Sequence, residues 1–192
     1  MPSVPWAGTA AAATIEGFCY VGMDAFSQAS ISFTGQNFGA KKYNRIDRIF
    51  LWSIVLGTSI GALFGGFSYL FGGSLLGIFS KKPGVIRIGM LRMGIICLTQ
   101  FTCIWMHVPS NICRAMGKSL VPMLNTVGCV CVFRVIWICT VFAADWSLRT
   151  RFLSYPISWG PASAIGILYC FFVRRKVRRI GMPAAEEAMP GK

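Results

Sequence analysis

Long apolar runs separated by short polar knots organise this chain. Residues 49–80, 93–113 and 152–173 contain no Asp, Glu, Lys or Arg. Each reaches the roughly 20 apolar residues needed to cross a hydrocarbon core about 30 Å thick. Polar knots interrupt them: GQNFGAKKYNRIDR at 35–48, KKPGVIR at 81–87, RAMGKS at 114–119, and a basic tail from Arg174. The pattern predicts five membrane crossings, at about 11–38, 49–71, 88–112, 120–144 and 152–173. Gly39 suits the end of the first helix, with Gln36 and Asn37 at its polar boundary. A single helix covering the charge-free stretch to Ser80 would be ~48 Å long, so a break is expected at Gly72 and Gly73. Pro122 suits a helix start, whereas Pro156 and Pro161 should bend or delay the fifth helix.

Composition strengthens this reading. Of 192 residues, 55% are hydrophobic and 13% charged, and a soluble domain of this length would need more polar residues to cover its surface. The fold class expected is all-α integral membrane, with about five transmembrane helices. Residues 1–10 form an external lead segment, 11–179 the helical bundle, and 180–192 a disordered cytoplasmic tail.

The net charge of +13 raises a nucleic-acid partner. The cations, however, gather between apolar runs instead of striping one face, as in juxtamembrane segments that meet anionic headgroups. The lipid bilayer is therefore the expected partner, and nucleic acid is not. After the first, third and fifth crossings come Lys41, Lys42, Arg45, Arg48, Arg114, Lys118, Arg174, Arg175, Lys176, Arg178 and Arg179, eleven cations in all. The alternate side carries six: Lys81, Lys82, Arg87, Arg92, Arg149 and Arg151. The positive-inside bias then puts the C-terminus in the cytoplasm and the N-terminus outside a multi-pass plasma (inner) membrane protein. Residues 1–15 lack the basic start of a signal peptide. An odd number of crossings from an external start points to part of something larger.

The eight cysteines lie within apolar runs or at the end of one. Cys129 and Cys131, two apart, point in different directions on a helix and cannot chelate one ion. Helix packing is the expected role of these thiols, and no metal site is expected. Gly57, Gly61 and Gly65 recur every four residues, a smooth stripe that admits a close helix neighbour. No phosphate-binding loop and no Ser/His/Asp set is legible, so the chain is not read as an enzyme.

Ionisable residues inside a membrane cost roughly 3 kcal/mol at the centre and are functional candidates by default. Asp24 lies near the middle of the first crossing, and Gln28 and Ser32 follow on its face. Measured from the expected cytoplasmic ends, Asp24 and Arg134 lie ~21 Å deep and Gln100 ~18 Å. Equal depth suggests that Asp24 and Arg134 approach each other, with Gln28 and Gln100 completing a substrate or ion cavity. Glu16, ~33 Å from the cytoplasmic end, belongs near the external surface, hydrated or paired with Arg92. His107 reads as a polar residue at a helix boundary, and any of the tryptophans could stack on an organic cation.

Several stretches carry a family resemblance. IEGFCYVGMDAFSQASISFTGQNFGAKKYNRI (15–46) resembles the eighth membrane helix, and the loop after it, of the multidrug and toxic compound extrusion (MATE) transporters. RAMGKSLVPM (114–123) is similar to the turn between that family's tenth and eleventh helices. SYPISW (154–159) and FFVRRKVRR (171–179) resemble its last helix and terminus. The resemblance covers nearly all of residues 10–179. It implies helices eight to twelve of a twelve-helix, two-bundle transporter that exchanges small organic cations or drugs for a proton or sodium ion, with no other cofactor. The first bundle and the seventh helix have no counterpart here, which leaves a missing N-terminal bundle as an implied partner. Family carboxylates on the first, seventh and tenth helices cannot be carried over, because the third crossing contains no Asp or Glu. Two other readings stay open: a truncated, transport-incompetent membrane fragment, and a flippase relative with a lipid-linked substrate.

Overall fold

The computed structural model describes residues 3–142 and 148–186, and among them no strand occurs. Helix α1 spans Ser3–Gly39, α2 Tyr43–Leu70, α3 Gly72–Phe79 and α4 Pro83–Ile96. A tight 3₁₀ turn at Gln100–Cys103 leads into α5, Ile104–Ala115. Next come α6 (Leu120–Thr126), a π-helical stretch (Val127–Val132), α7 (Phe133–Trp137) and a second π stretch (Ile138–Phe142). Helix α8 spans Leu148–Glu186.

Three helical stretches among the described residues are long and apolar enough to cross a membrane: Tyr43–Leu70, Leu120–Thr140 and Phe152–Arg178. A fourth arises if Pro83–Ile96 and Gln100–Ala115, bent by 42°, count as one span. Helix α1 is long enough at 37 residues but is rich in Ala, Gly, Ser and Thr and is not among them. Its place in the bundle comes instead from contacts with α2, α4 and α5. Helix α1 starts within the expected lead segment, and α8 runs on into the stretch expected as a disordered tail. Residues 187–192 of that tail, and the end of the expected fourth crossing at 143–144, lie outside the described residues.

Two helix ends close in the same way. At the end of α1, Lys41 N–H donates to the Phe38 carbonyl (3.1 Å) and Lys42 N–H to the Asn37 carbonyl (2.9 Å). At the end of α5, Gly117 N–H donates to the Arg114 carbonyl and Lys118 N–H to the Cys113 carbonyl, both at 2.9 Å. This paired closure needs a left-handed residue. Gly117 supplies it at φ 75°, and Lys41, unusually for a side-chain residue, at φ 57°. The polar knot at 35–48 is thus a helix end, a tight turn and a new helix start.

The expected break comes at Phe71, directly before Gly72, where α2 gives way to α3. Gly57, Gly61 and Gly65 are buried, as the stripe predicted. A Cβ at Gly57 would lie 2.5 Å from Ile104 Cγ1, and one at Gly61 3.2 Å from the Phe101 Cα. At Gly65 it would collide with the Cys97 carbonyl oxygen. The third crossing therefore packs on α2 backbone to backbone, and Met23, Ile104, Val108 and Ile112 fill the larger core beside it.

The bend in the third crossing has a local cause. Thr99 Oγ1 donates to the Ile95 carbonyl at 2.6 Å, and Thr102 Oγ1 to the Thr99 carbonyl at 2.7 Å. Hydroxyls that bond back to carbonyls three or four residues earlier compete with the helical ladder and bend it. At the far end of the bundle, Asp47 at the start of α2 pairs with both Arg174 and Arg178 of α8. The first loop and the basic tail thus lie at the same end of the molecule, as the alternation of crossings requires.

Candidate functional site

Two polar centres lie along α1, eight residues apart and so separated by ~12 Å of helix. At the first, Glu16 faces α4. Arg92 Nε donates to Oε1 and Nη2 to Oε2 of Glu16, each at 2.8 Å, in a two-point fork. The side chains are only 12% (Arg92) and 9% (Glu16) exposed. The Arg92 guanidinium also lies 5.6 Å from the Phe152 ring centre and 6.0 Å from that of Tyr155. Gln100 Nε2 donates to the Glu16 carbonyl at 3.2 Å, and its Oε1 is buried without a partner. Such a fork neutralises both charges internally. It joins α1 to α4, while the aromatic contacts of Arg92 reach α8, and the pair leaves no net charge to attract a ligand.

The second centre is open. A cavity of about 240 Å³ is lined by Tyr20, Asp24 and Gln28 of α1, by Met106, His107, Ser110, Asn111 and Arg114 of α5, and by Thr126 of α6. Helical spacing explains the set: Tyr20, Asp24 and Gln28 recur every four residues, as do Met106, Ser110 and Arg114, so each row forms one face. Asn111 holds the two rows together, its Nδ2 donating to the Ser27 carbonyl (3.1 Å) and Ser27 Oγ (2.7 Å). Tyr20 Oη lies 3.4 Å from His107 Nε2, with the rings edge-to-face at 5.8 Å.

Asp24 accepts a hydrogen bond from Gln28 Nε2 at 3.1 Å and takes part in none of the ion pairs among the described residues. Its carboxylate is therefore available to a cation. An amide, a phenol and an imidazole stand around it, able to accept or donate as the guest requires. Arg114 at the C-terminal end of α5 adds a positive charge to the rim. Among the described residues no cluster of three His, Cys, Asp or Glu side chains could hold a metal ion.

The residues expected to form one cavity are thus divided. Asp24 and Gln28 line it, whereas Gln100 belongs to the Glu16 centre. Arg134 does not meet Asp24; its guanidinium stacks over the Tyr155 ring at 4.1 Å, with Nε buried and unpartnered. Depth alone gave no direction around the helix axis, and the fourth span turns Arg134 toward α8. Its π-helical stretches also break the uniform rise on which the depths were based. Glu16 pairs with Arg92, one of its two expected environments. Ser32, on the Asp24 face by spacing, is exposed and outside the cavity lining. His107 and Asn111, which complete the far wall, were not singled out as site residues, although their four-residue spacing matches that of Asp24 and Gln28.

The family model and the solved structures point to the same family. The MatE family model matches residues 1–139. The chain is similar to the crystal structure of a MATE in complex with MaL6, with a TM-score of 0.79 at 16% identity, covering 90% of this chain and 39% of that one. It is also similar to an inward-facing conformation of a multidrug resistance MATE family transporter of the MOP superfamily. There the TM-score is 0.74 at 16% identity, and 88% of this chain and 39% of that one are covered. At these identities the likeness is one of fold. No curated protein matches the chain.

Proposed function

Because the chain belongs to the MatE family, we propose that it forms most of one helical bundle of a MATE-type exporter that exchanges small organic cations for protons or sodium ions. The observation that carries this reading is the open cavity beside Asp24: a carboxylate with no ion pair among the described residues, ringed by Tyr20, His107 and Asn111. An unpaired intramembrane acid is costly unless a cation visits it. A site of this kind can hold either an organic cation or the coupling ion, and competition between the two is the elementary requirement of exchange.

In the two solved transporters the matched region is 39% of the length, so a partner bundle completes the machine in this proposal. Rocking of the two bundles about a site near the mid-plane would then expose it alternately to the two sides. The cation asymmetry along the sequence supports a cytoplasmic C-terminus. The tie between Asp47 and the two tail arginines is consistent with that path.

Binding to the chain itself tests the proposal without requiring transport. Fluorescence polarisation of ethidium with the 192-residue protein in neutral detergent should show saturable binding. D24N should weaken it by about tenfold, the loss of one charge-assisted contact. Rising proton or sodium concentration should displace the dye from the native chain. Dye binding that is unchanged in D24N would refute the assignment, and binding that neither ion displaces would remove exchange from it.

A further inference from the structure

A second concavity lies on the opposite face of α1. Phe26, Ala29 and Phe33 recur at spacings of three and four, half a turn away from Asp24 and Gln28. Across from them on α2 stand Arg48, Ile49, Trp52, Ser53 and Leu56. Together they form a groove of about 360 Å³, apolar along its length and cationic at one end. Ala29 keeps its floor low. Arg48, Trp52 and Leu56 follow at successive turns, so the α2 wall extends ~12 Å from the guanidinium into the apolar part.

Arg48 is exposed and, among the described residues, belongs to no ion pair. The adjacent carboxylate cannot serve it, because Asp47 is held by Arg174 and Arg178 on the other side of α2. Lys41, Lys42 and Arg45 are exposed at the same end. Trp52, 60% exposed, sits one turn inward from Arg48, the depth at which tryptophan favours the interface between headgroups and hydrocarbon.

We propose that this groove binds an anionic phospholipid, its phosphate on Arg48 and one acyl chain lying along Trp52 and Leu56 against Phe26, Ala29 and Phe33. The charge distribution selects this occupant. An apolar helix or a neutral lipid would fill the groove but leave Arg48 without a counter-charge. A second copy docked face to face through this surface would set two like clusters of cations against each other. Only a ligand that is anionic at the membrane surface and apolar below it matches both ends.

Tryptophan quenching in nanodiscs tests the site with the full chain. Discs of phosphatidylcholine receive a fixed small fraction of phosphatidylglycerol or phosphatidylcholine with brominated acyl chains. The brominated phosphatidylglycerol should quench more strongly, corresponding to an affinity about fivefold higher, the effect expected of one basic residue near anionic headgroups. The excess should vanish in W52F, which removes the local reporter, and in R48A. It should persist in R48K and in R87A, a change to an exposed cation on α4. Soluble glycerol phosphate should not abolish it, because the acyl chain contributes to binding. Equal quenching by the two lipids overturns the proposal, as does an excess that survives R48A or W52F. Absence of Trp52 quenching by both lipids overturns it as well, and is the result expected if a helix or a second copy covers the groove.

Discussion

Adjacent glycines on α2 offer a sharp test of the packing that holds this bundle together. Gly65→Ala would place a methyl group against the Cys97 carbonyl oxygen, whereas a Cβ at Gly66 meets nothing within 4 Å. The obstacle at Gly65 is backbone, which cannot swing aside as a side chain can. Overpacking costs about 1–3 kcal/mol, and a rigid neighbour puts this case at the upper end. Replacing glycine by alanine in a helix returns up to about 1 kcal/mol. The net expectation is a loss of about 1–2 kcal/mol for G65A and no loss, or a gain of up to about 1 kcal/mol, for G66A. At roughly 2–4 °C per kcal/mol for a chain of this size, the two variants should melt about 2–12 °C apart. A thiol-reactive fluorogenic dye provides the assay in a background with Cys129, Cys131 and Cys139 replaced by serine, since Cys97 and the remaining thiols are buried and react only as the bundle opens. Equal melting of the two variants, or a G65A protein as stable as the original, would refute backbone-to-backbone packing at this position.

Breaking the Glu16–Arg92 fork with E16Q or with R92Q should each cost about 3–5 kcal/mol, because each strands a buried charge. The double variant should cost less than the two losses combined, a difference read from detergent-denaturant midpoints. Lys41→Gly should raise stability by about 1 kcal/mol, since it puts glycine where the helix end demands a left-handed residue, and the same unfolding midpoint reports it. Asp47→Asn removes the shared partner of Arg174 and Arg178. Asp47 and Arg178 are partly exposed, so the cost should be under about 1 kcal/mol and should shrink further at high salt. Faster tryptic cleavage after Arg174 and Arg178 would register the loosened end of α8.

Legibility from sequence followed the physics behind each feature. Most crossings could be placed because charged groups are excluded from hydrocarbon, and that exclusion is written directly in the order of residues. The glycine stripe and the Asp24–Gln28 row were legible for a related reason, since helical spacing alone decides which residues share a face. The bend in the third crossing was not legible. No proline or glycine occupies residues 97–103, and the cause lies in threonine hydroxyls choosing backbone partners. Arg134 was misplaced because depth is one coordinate and contact needs three. His107 was passed over because a histidine becomes informative only when its neighbours across the helix interface are known, and Tyr20 is 87 positions away.

The 42° bend divides the third crossing into two lengths with different attachments. The length before the bend is anchored through Arg92 to Glu16, and the length after it carries His107 and Asn111. Rods joined at an angle need not travel as one piece. The length beside Asp24 therefore meets α1 through contacts of its own, Asn111 on Ser27 and His107 near Tyr20, separate from the fork that holds the other length.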